Sequence, residues 1–572
     1  MNGARSMNHA TPGDARRAAS LILLRDSEQG LEVLMLRRAE REGDMRSGVA
    51  VFPGGVLDPR DHEAQSLVHG ADDTTLSARL SLPSGGLDYA IAAVRETFEE
   101  AGLLIALDAA GQPVAPSLVE QLAPWRDRLQ SNEASAVMLC RDTGLTLDVS
   151  GLVYYSHWLT PPGSPKRFDT RFFIAAAPVG QLATPDFGEA VELMWLTPAE
   201  ALSRERGLKL LPVTQVTLKE LSAFADTATA LAASRARGAV PCVMPRRAQR
   251  GGRPVVVLPH ELPYAEIGRL DPTGRADVAA ELVPGRVVWL SERVARITAP
   301  NPGPMTGPGT NSYLVGAGGR WVIIDPGPAI DGHLQVLQAA IEGVSGQLVT
   351  ILATHTHRDH SPGCAPLAAA TGAPVWGRVA SHPMWQDDSF RPDHEPADGE
   401  RLVLAAGLTL HAVHTPGHAS NHVCWWLEQE ALLFTGDHVM QGSTVVINPP
   451  DGDMAAYLQS LRALRQAHEA GQRPLHWLAP GHGYLVADPP AVLDGLVAHR
   501  LKREAKVVSA LQAAAGDGPW PIDALVQRVY DDVPAALHGV AARSLLAHLL
   551  KLQAEGRVRQ DDRGWQWMPG AA

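Results

Sequence analysis

The sequence predicts an α/β chain of more than one domain, finished by a small module of helices and a hairpin. Three observations carry that expectation. The chain has 572 residues, and a single core rarely serves more than about 250. Its 45% hydrophobic and 20% charged residues are the proportions of packed domains, not of a disordered chain. Short apolar runs ending in glycine-bearing polar loops alternate with helical spacing along much of its length, the pattern of layered α/β folds.

The elements follow in order. "ASLILLRDSEQGLEVLMLRR" (19–38) reads as two strands around a Ser-Glu-Gln-Gly turn. "DYAIAAVRETFEEAGLLI" (88–105) has helical spacing and a C-cap at Gly102. "RFDTRFFIAAAP" (167–178) reads as a buried strand, and "VELMWLTPAEAL" (191–202) as a strand entering a Thr-Pro helix start. These make a first domain over 16–235. The Arg-, Gly- and Pro-rich stretch that follows is expected to be a linker or irregular crossing over 236–284. A second domain, 285–488, opens with "GRVVWLSERVARITA" and then feeds His- and Asp-bearing loops from the ends of short apolar strands. Residues 489–572 hold a long helical run, a second helical pair around 522–556 and the hairpin-like "GRVRQDDRGWQWM", a winged-helix-like order.

Composition narrows the function. A net charge of −12 argues against broad nucleic-acid binding. The four cysteines, Cys140, Cys242, Cys364 and Cys424, are scattered and form no CxxC pair, so neither a disulfide framework nor a zinc ribbon is expected. That usage fits a reducing, cytoplasmic setting. The N-terminal "MNGARSMNHATPGDARR" lacks the apolar core of a secretory signal. No stretch approaches the roughly 20 apolar residues that span a bilayer, so no membrane partner is expected.

The densest chemistry is "THTHRDHSPG" (354–363), with His355, His357, Asp359 and His360 inside six positions. Imidazole nitrogen mixed with carboxylate oxygen suits zinc and neighbouring first-row metals. Three further loops add His418 in "HTPGHASNH", Asp437 in "FTGDHV" and His482 in "APGHG", each after an apolar strand and beside a glycine.

This set resembles the metallo-β-lactamase superfamily, whose HxHxDH signature stands here as "HTHRDH". The resemblance implies an αββα sandwich and two zinc ions, with manganese or iron as alternatives. It would place one ion on His355, His357 and His418 and the other on Asp359, His360 and His482, with Asp437 between them. Asp359 would also orient the nucleophile or manage protons, and Asp325 in "IIDPG" would support the ligands from behind. The strings "TPGHASNH", "TGDHVMQGSTVVINPPDGDMAAYLQSL" and "HRLKREAKVV" look like the branch holding β-lactamase-like protein 2, a single-strand-preferring endoribonuclease. That makes single-stranded RNA a partner, with "HRLKREAK" (499–506) a place to meet phosphates. The alternative is thioester or lactone hydrolysis of the glyoxalase II type.

Upstream, "RETFEEAG" (95–102) sets Glu96, Glu99 and Glu100 on one helix face. Three adjacent carboxylates repel unless cations sit among them, which suits Mg²⁺ or Mn²⁺. With "VAVFPGGVLDPRD" (49–61) before it, the stretch resembles the Nudix box, ending in the intact "RETFEEAGL". The box is interrupted: Gly55 and Arg95 stand much further apart than usual, and its middle glutamate has no clear counterpart, although Asp88 falls nearby. An inserted box of this kind looks like the branch that includes the peroxisomal coenzyme A diphosphatase. The resemblance implies an α/β/α sandwich that cleaves a nucleoside-diphosphate-X substrate such as a coenzyme A derivative. Glu96, Glu99 and Glu100 would hold its metal, Glu99 and Glu100 would share the catalysis, and Arg95 would organise the helix. Glu192 is a further candidate ligand or base, and Arg37, Arg38 and Arg46 are candidates for meeting phosphates.

The expectation is a bifunctional metal-dependent hydrolase, the C-terminal site cutting a phosphodiester and the N-terminal one a diphosphate. Two alternatives stand beside it. Both sites could serve one acyl-coenzyme A, one through its thioester and one through its diphosphate. A Nudix fold joined to a winged helix could instead make a non-enzymatic ligand-sensing regulator.

Overall fold

The computed structural model describes residues 14–40, 47–186, 188, 190–405, 407–513 and 518–568. Most of the N-terminal stretch read for a signal lies outside them. The chain forms two compact units, one up to Arg247 with Thr273–Ala276, the other Ala248–Pro272 with Asp277 onward.

In the first unit, strands β1 (Arg16–Ser27), β2 (Gly30–Arg38), β3 (Val49–Val51) and β4 (Gly54–Val56) precede the helix α1 (Gly86–Ala101). Strands β5 (Val153–Leu159), β6 (Phe168–Ala176) and β7 (Ala190–Leu196) follow. The central sheet runs β3-β2-β1-β6-β5, with β4 added on β1 and β7 on β2. Pairing β1 parallel to β6 buries Leu21 and Leu23 beside Phe173, and α1 covers them with Tyr89, Ile91 and Phe98. Ala90, Ala92, Ala93 and Ala101 fill the spaces between these larger side chains on the buried helix. Gly102, at φ 69°, ends it in the left-handed conformation and donates its N–H to the Phe98 carbonyl at 2.9 Å.

The second unit places a helix, α2 (Tyr264–Leu270), inside the stretch expected to be a linker. Strands β8 (Val287–Trp289), β9 (Val294–Thr298), β10 (Asn311–Ala317), β11 (Arg320–Ile324), β12 (Gln347–Leu352) and β13 (Val375–Trp376) make one sheet. Strands β14 (Arg401–Ala405), β15 (Leu408–His414), β16 (Val423–Leu427), β17 (Leu432–Gly436), β18 (Trp477–Pro480) and β19 (Val486–Ala487) make the other. The inner faces share one core, where Val294, Val315 and Leu352 meet Leu410, Trp425 and Phe434.

Each outer face is covered by helices. α3 (Asp331–Gly343) and α4 (Cys364–Thr371) bury Leu337, Ile341 and Leu367 on the first sheet. α5 (Met454–Glu469) and the start of α6 (Pro489–Ala513) bury Leu458, Leu461 and Leu493 on the second. The result is the expected αββα order, with strands apolar on both faces because both are covered.

α6 continues past the sandwich. Its Val507 and Leu511 join α7 (Ile522–Val529), α8 (His538–Ala554) and the hairpin β20 (Val558–Asp561)–β21 (Gly564–Trp567) around Trp565. Among the described residues, no helix is long and apolar enough to cross a membrane.

Candidate metal centre

The ends of β12, β15, β17 and β18 deliver the seven side chains to one place. His355, His357 and His418 form one group, Asp359, His360 and His482 a second, and His355, His360 and Asp437 a third; within each, ligand atoms lie within 4.8 Å of one another. His357 Nδ1 is 3.0 Å from both His355 Nε2 and His418 Nε2. His482 Nε2 lies 3.3 Å from Asp359 Oδ2 and from Asp437 Oδ1, and His360 Nε2 lies 3.4 Å from the same two oxygens. Asp437 turns its other oxygen to His418, 3.7 Å away, so one carboxylate faces both groups.

Outer hydrogen bonds aim the rings. His360 Nδ1–H donates to Asp325 at 2.9 Å, His355 Nδ1–H to the Thr354 hydroxyl at 3.0 Å, His418 Nδ1–H to the Val446 carbonyl at 2.8 Å and His482 Nδ1–H to the Gly309 carbonyl at 3.2 Å. Each leaves Nε2 pointing inward, the arrangement by which outer partners fix metal ligands. Asp325 also accepts the Thr354 N–H and hydroxyl, both at 2.7 Å. A Cβ on Gly481 would stand 2.6 Å from Asp437 Oδ1 and 2.7 Å from the His360 ring, which is why glycine precedes His482.

The electrostatics divide the centre. Burial, and then the neighbouring rings, hold His355 well below the ordinary imidazole range and push His357 down to about 3. Burial would lower His360 and His482 too, but facing carboxylates outweigh it: His360 is held well above the ordinary value and His482 rises to about 9. Burial opposes ionisation of Asp359 and Asp437, yet these same histidines hold both below the usual carboxylate range. Nε2 of His360, Nε2 of His482 and Oδ1 of Asp437 are buried without a hydrogen-bond partner. Each orphaned polar atom costs about 1–3 kcal/mol. A divalent cation satisfies such atoms at once, and the nitrogen and oxygen donors fit zinc, manganese or iron.

The acidic helix of the first unit is built differently. Glu96, Glu99 and Glu100 lie along α1 facing β4, and Glu100 accepts the Gly54 N–H at 2.8 Å. A Cβ on Gly55 would fall 2.4 Å from the Glu96 carboxylate. The repulsion expected among these carboxylates is relieved by Arg95, whose Nη1 donates to Glu96 and Glu99 at 2.8 Å each. Its Nε donates to Asp61 at 2.8 Å and its Nη2 to the Val56 carbonyl at 3.0 Å. Burial raises Glu96 to about 7 and Glu99 in the same direction. A cleft of about 530 Å³ opens beside this box, lined in part by Arg16, Arg17, His62 and Asp88.

Other expected groups are engaged elsewhere. Glu192 pairs with Arg37 at 2.9 Å on the surface, Asp88 accepts from Gln65 at 2.7 Å, and Arg46 lies outside the described residues. Most of the basic run of α6 is engaged within the chain: Arg500 is buried, Arg503 pairs with Asp532 at 2.8 Å and Lys506 with Asp531 at 2.7 Å, while Lys502 is exposed. Sequence reasoning missed Asp61, although "DPRD" (58–61) signals a helix start. Asp58 caps it, Pro59 stands at its first turn and the Asp61 side chain closes the capping box.

The fold and this centre define a hydrolase of the metal-dependent kind, and the chain belongs to the metallo-β-lactamase superfamily, which matches residues 305–470. A NUDT19 Nudix domain matches 68–212 and a β-lactamase-associated winged helix domain 522–567. An atrochrysone carboxyl ACP thioesterase of Aspergillus chevalieri is 32% identical over 282 residues, 48% of this chain and 85% of the relative. A β-lactamase-like protein 2 homolog of Caenorhabditis elegans is 27% identical over 285 residues, 50% of this chain and 92% of that one. A metallo-β-lactamase family protein of Thermus thermophilus aligns at 21% identity and TM-score 0.41, over 49% of this chain and all of its own. A Nudix hydrolase of Alicyclobacillus acidocaldarius aligns at 30% identity and TM-score 0.31, over 38% of this chain and 96% of its own.

Proposed function

We propose that the C-terminal unit hydrolyses a thioester and that the Nudix domain cleaves a diphosphate linkage, such as that of a coenzyme A derivative. The observation carrying the first part is the convergence of seven ligand-type side chains with buried, unpartnered donor atoms. His355, His357 and His418 would hold one zinc, Asp359, His360 and His482 the other, and Asp437 would face both. When bound, the ions supply Lewis acidity toward the substrate carbonyl and lower the pKa of nearby water. Asp359 is the more open carboxylate, its side chain 27% exposed against 12% for Asp437. Its Oδ2 accepts from the Thr310 hydroxyl at 3.4 Å, and the more open carboxylate beside the ions would orient the attacking water.

Two observations favour a thioester over the phosphodiester expected first. A relative at 32% identity carries the name thioesterase. Three of the four Lys and Arg side chains in the α6 run that would have met a nucleic-acid backbone, Arg500, Arg503 and Lys506, are occupied by a buried carbonyl, Asp532 and Asp531. The similarity to a β-lactamase-like protein 2 homolog keeps single-stranded RNA as the second reading.

In the first unit, Glu96, Glu99 and Glu100 would hold Mg²⁺ or Mn²⁺, with Glu99 and Glu100 nearest the chemistry and Arg95 bracing their helix. The deciding experiment gives zinc-loaded protein an acyl-coenzyme A or acyl-carrier-protein thioester, and labelled single-stranded RNA in parallel. Free thiol released only without chelator supports the proposal. RNA cleavage with intact thioester replaces it by the second reading, and inertness toward both removes it.

A further inference from the structure

One buried cation stands behind the metal centre without touching its ligands. Arg500, on α6, is 4% exposed. Among the described residues no carboxylate lies within ion-pair distance of it. Its Nη2 donates to the Val445 carbonyl, its guanidinium lies 5.4 Å from the Tyr457 ring centroid, and its Nε is buried without a partner. A buried guanidinium with so few partners is costly to keep. One helical turn on, Glu504 takes Lys551 at 2.9 Å and His548 at 3.3 Å from α8, which holds this stretch of α6 in place.

Both of Arg500's contacts lead to His418. The carbonyl next to Val445 is that of Val446, which receives the His418 Nδ1–H at 2.8 Å. Tyr457, under the guanidinium, is the surface on which Gly417 lies. A Cβ on Gly417 would stand 2.3 Å from the Tyr457 Cα, and the Gly417 carbonyl accepts the Asp453 N–H at 2.8 Å.

We infer that Arg500 is a positioning residue for the His355–His357–His418 group: by holding Val445 and Tyr457 it sets the tautomer and tilt of His418. The inference rests on the reading that His418 binds a divalent ion. Arg500 touches neither ion nor substrate; it acts through one peptide and one ring. Its position on the helix that continues into the winged-helix module makes the seating of that module a condition for a well-formed centre.

The test titrates full-length protein, stripped by chelator, with Zn²⁺ against a chromophoric chelator, and records the Tm in excess chelator. The unsubstituted protein should take two equivalents. Arg500→Met should weaken one of them by about 10–100-fold, the usual cost of losing an outer partner, and leave the other near its original affinity. Arg500→Lys, which still offers a donor to Val445, should recover part of the loss. Lys502→Ala, on the same helix but on its exposed side, should change neither equivalent. Two tight equivalents in Arg500→Met overturn the inference. So does loss of both together with a collapsed Tm in chelator, which marks a general structural role. An unsubstituted protein that takes no zinc removes the reading on which this rests, and shows it before any variant is made.

Discussion

Asp325 shows how much of the centre depends on a residue that is not in it. Its carboxylate is 2% exposed and accepts three hydrogen bonds: Thr354 N–H, Thr354 hydroxyl and His360 Nδ1–H. Asp325→Ala leaves all three donors without an acceptor and removes the group that fixes the His360 tautomer. Zinc affinity should fall by about 10–100-fold, and stability by about 3–5 kcal/mol because a buried charged partner is lost. Chelator competition and urea unfolding measure the two effects; an alanine variant matching the unsubstituted protein in both would contradict this account. His333 gives a pH prediction away from the ligands. Burial pushes it from 6.5 down to about 4, and its ring partner is the neutral Ser312 hydroxyl, 3.2 Å from Nε2. The unfolded chain therefore takes the proton first. Stability is full above pH 6.5, declines as pH falls from 6.5 to about 4, and levels off below, for a total on the order of 3 kcal/mol. His333→Gln should flatten part of that decline in urea titrations between pH 7 and pH 4. An equally steep variant would place the acid sensitivity in other groups.

At the scale of elements, the helix Tyr264–Leu270 is the clearest departure from the sequence reading. It was hidden because it is only two turns long and its anchor is a charge. Glu266 and Arg296 are both buried and pair at 2.6 and 2.9 Å, and Glu266 also accepts the Leu485 N–H at 2.8 Å. Nothing near Glu266 in sequence announces a partner thirty residues on and an N–H more than two hundred on. The same limit explains why Asp325 was legible and Arg500 was not. Asp325 sits in a short motif beside a strand end, whereas Arg500 reads as one more cation in a basic helix until its carbonyl partner is seen. The seven candidate ligands were legible because strand ends carry them in compact strings, and α1 because its spacing and Gly102 cap are local. The prediction follows from burial: Glu266→Ala should destabilise the second unit by about 3–5 kcal/mol by stranding the Arg296 charge. Replacing Glu266 and Arg296 together by leucine should recover most of that loss. If the double variant were as unstable as the single one, the ion pair would not be what anchors this helix.

At the scale of the whole chain, the two sets of chemical residues draw on separate cores. Arg95, Glu96, Glu99 and Glu100 are carried by a helix packed in the first unit, while all seven histidine and aspartate groups come from strand ends of the second. Each set is held by partners of its own unit: Asp61 and Gly54 for the glutamates, Asp325, Thr354 and Val446 for the histidines. Sites without shared partners behave additively. His355→Ala should therefore reduce thioester turnover at least as far as loss of an outer partner would, about 10–100-fold, and leave diphosphate cleavage within about twofold. Glu99→Gln with Glu100→Gln should do the reverse. Both reactions are followed on one acyl-coenzyme A, as free thiol and as the 3′,5′-nucleotide product. Strictly reciprocal losses mean two independent hydrolases in one chain. If His355→Ala also slowed diphosphate cleavage while added free acid and thiol restored it, one site would be feeding the other, and the fusion would be sequential chemistry on one molecule.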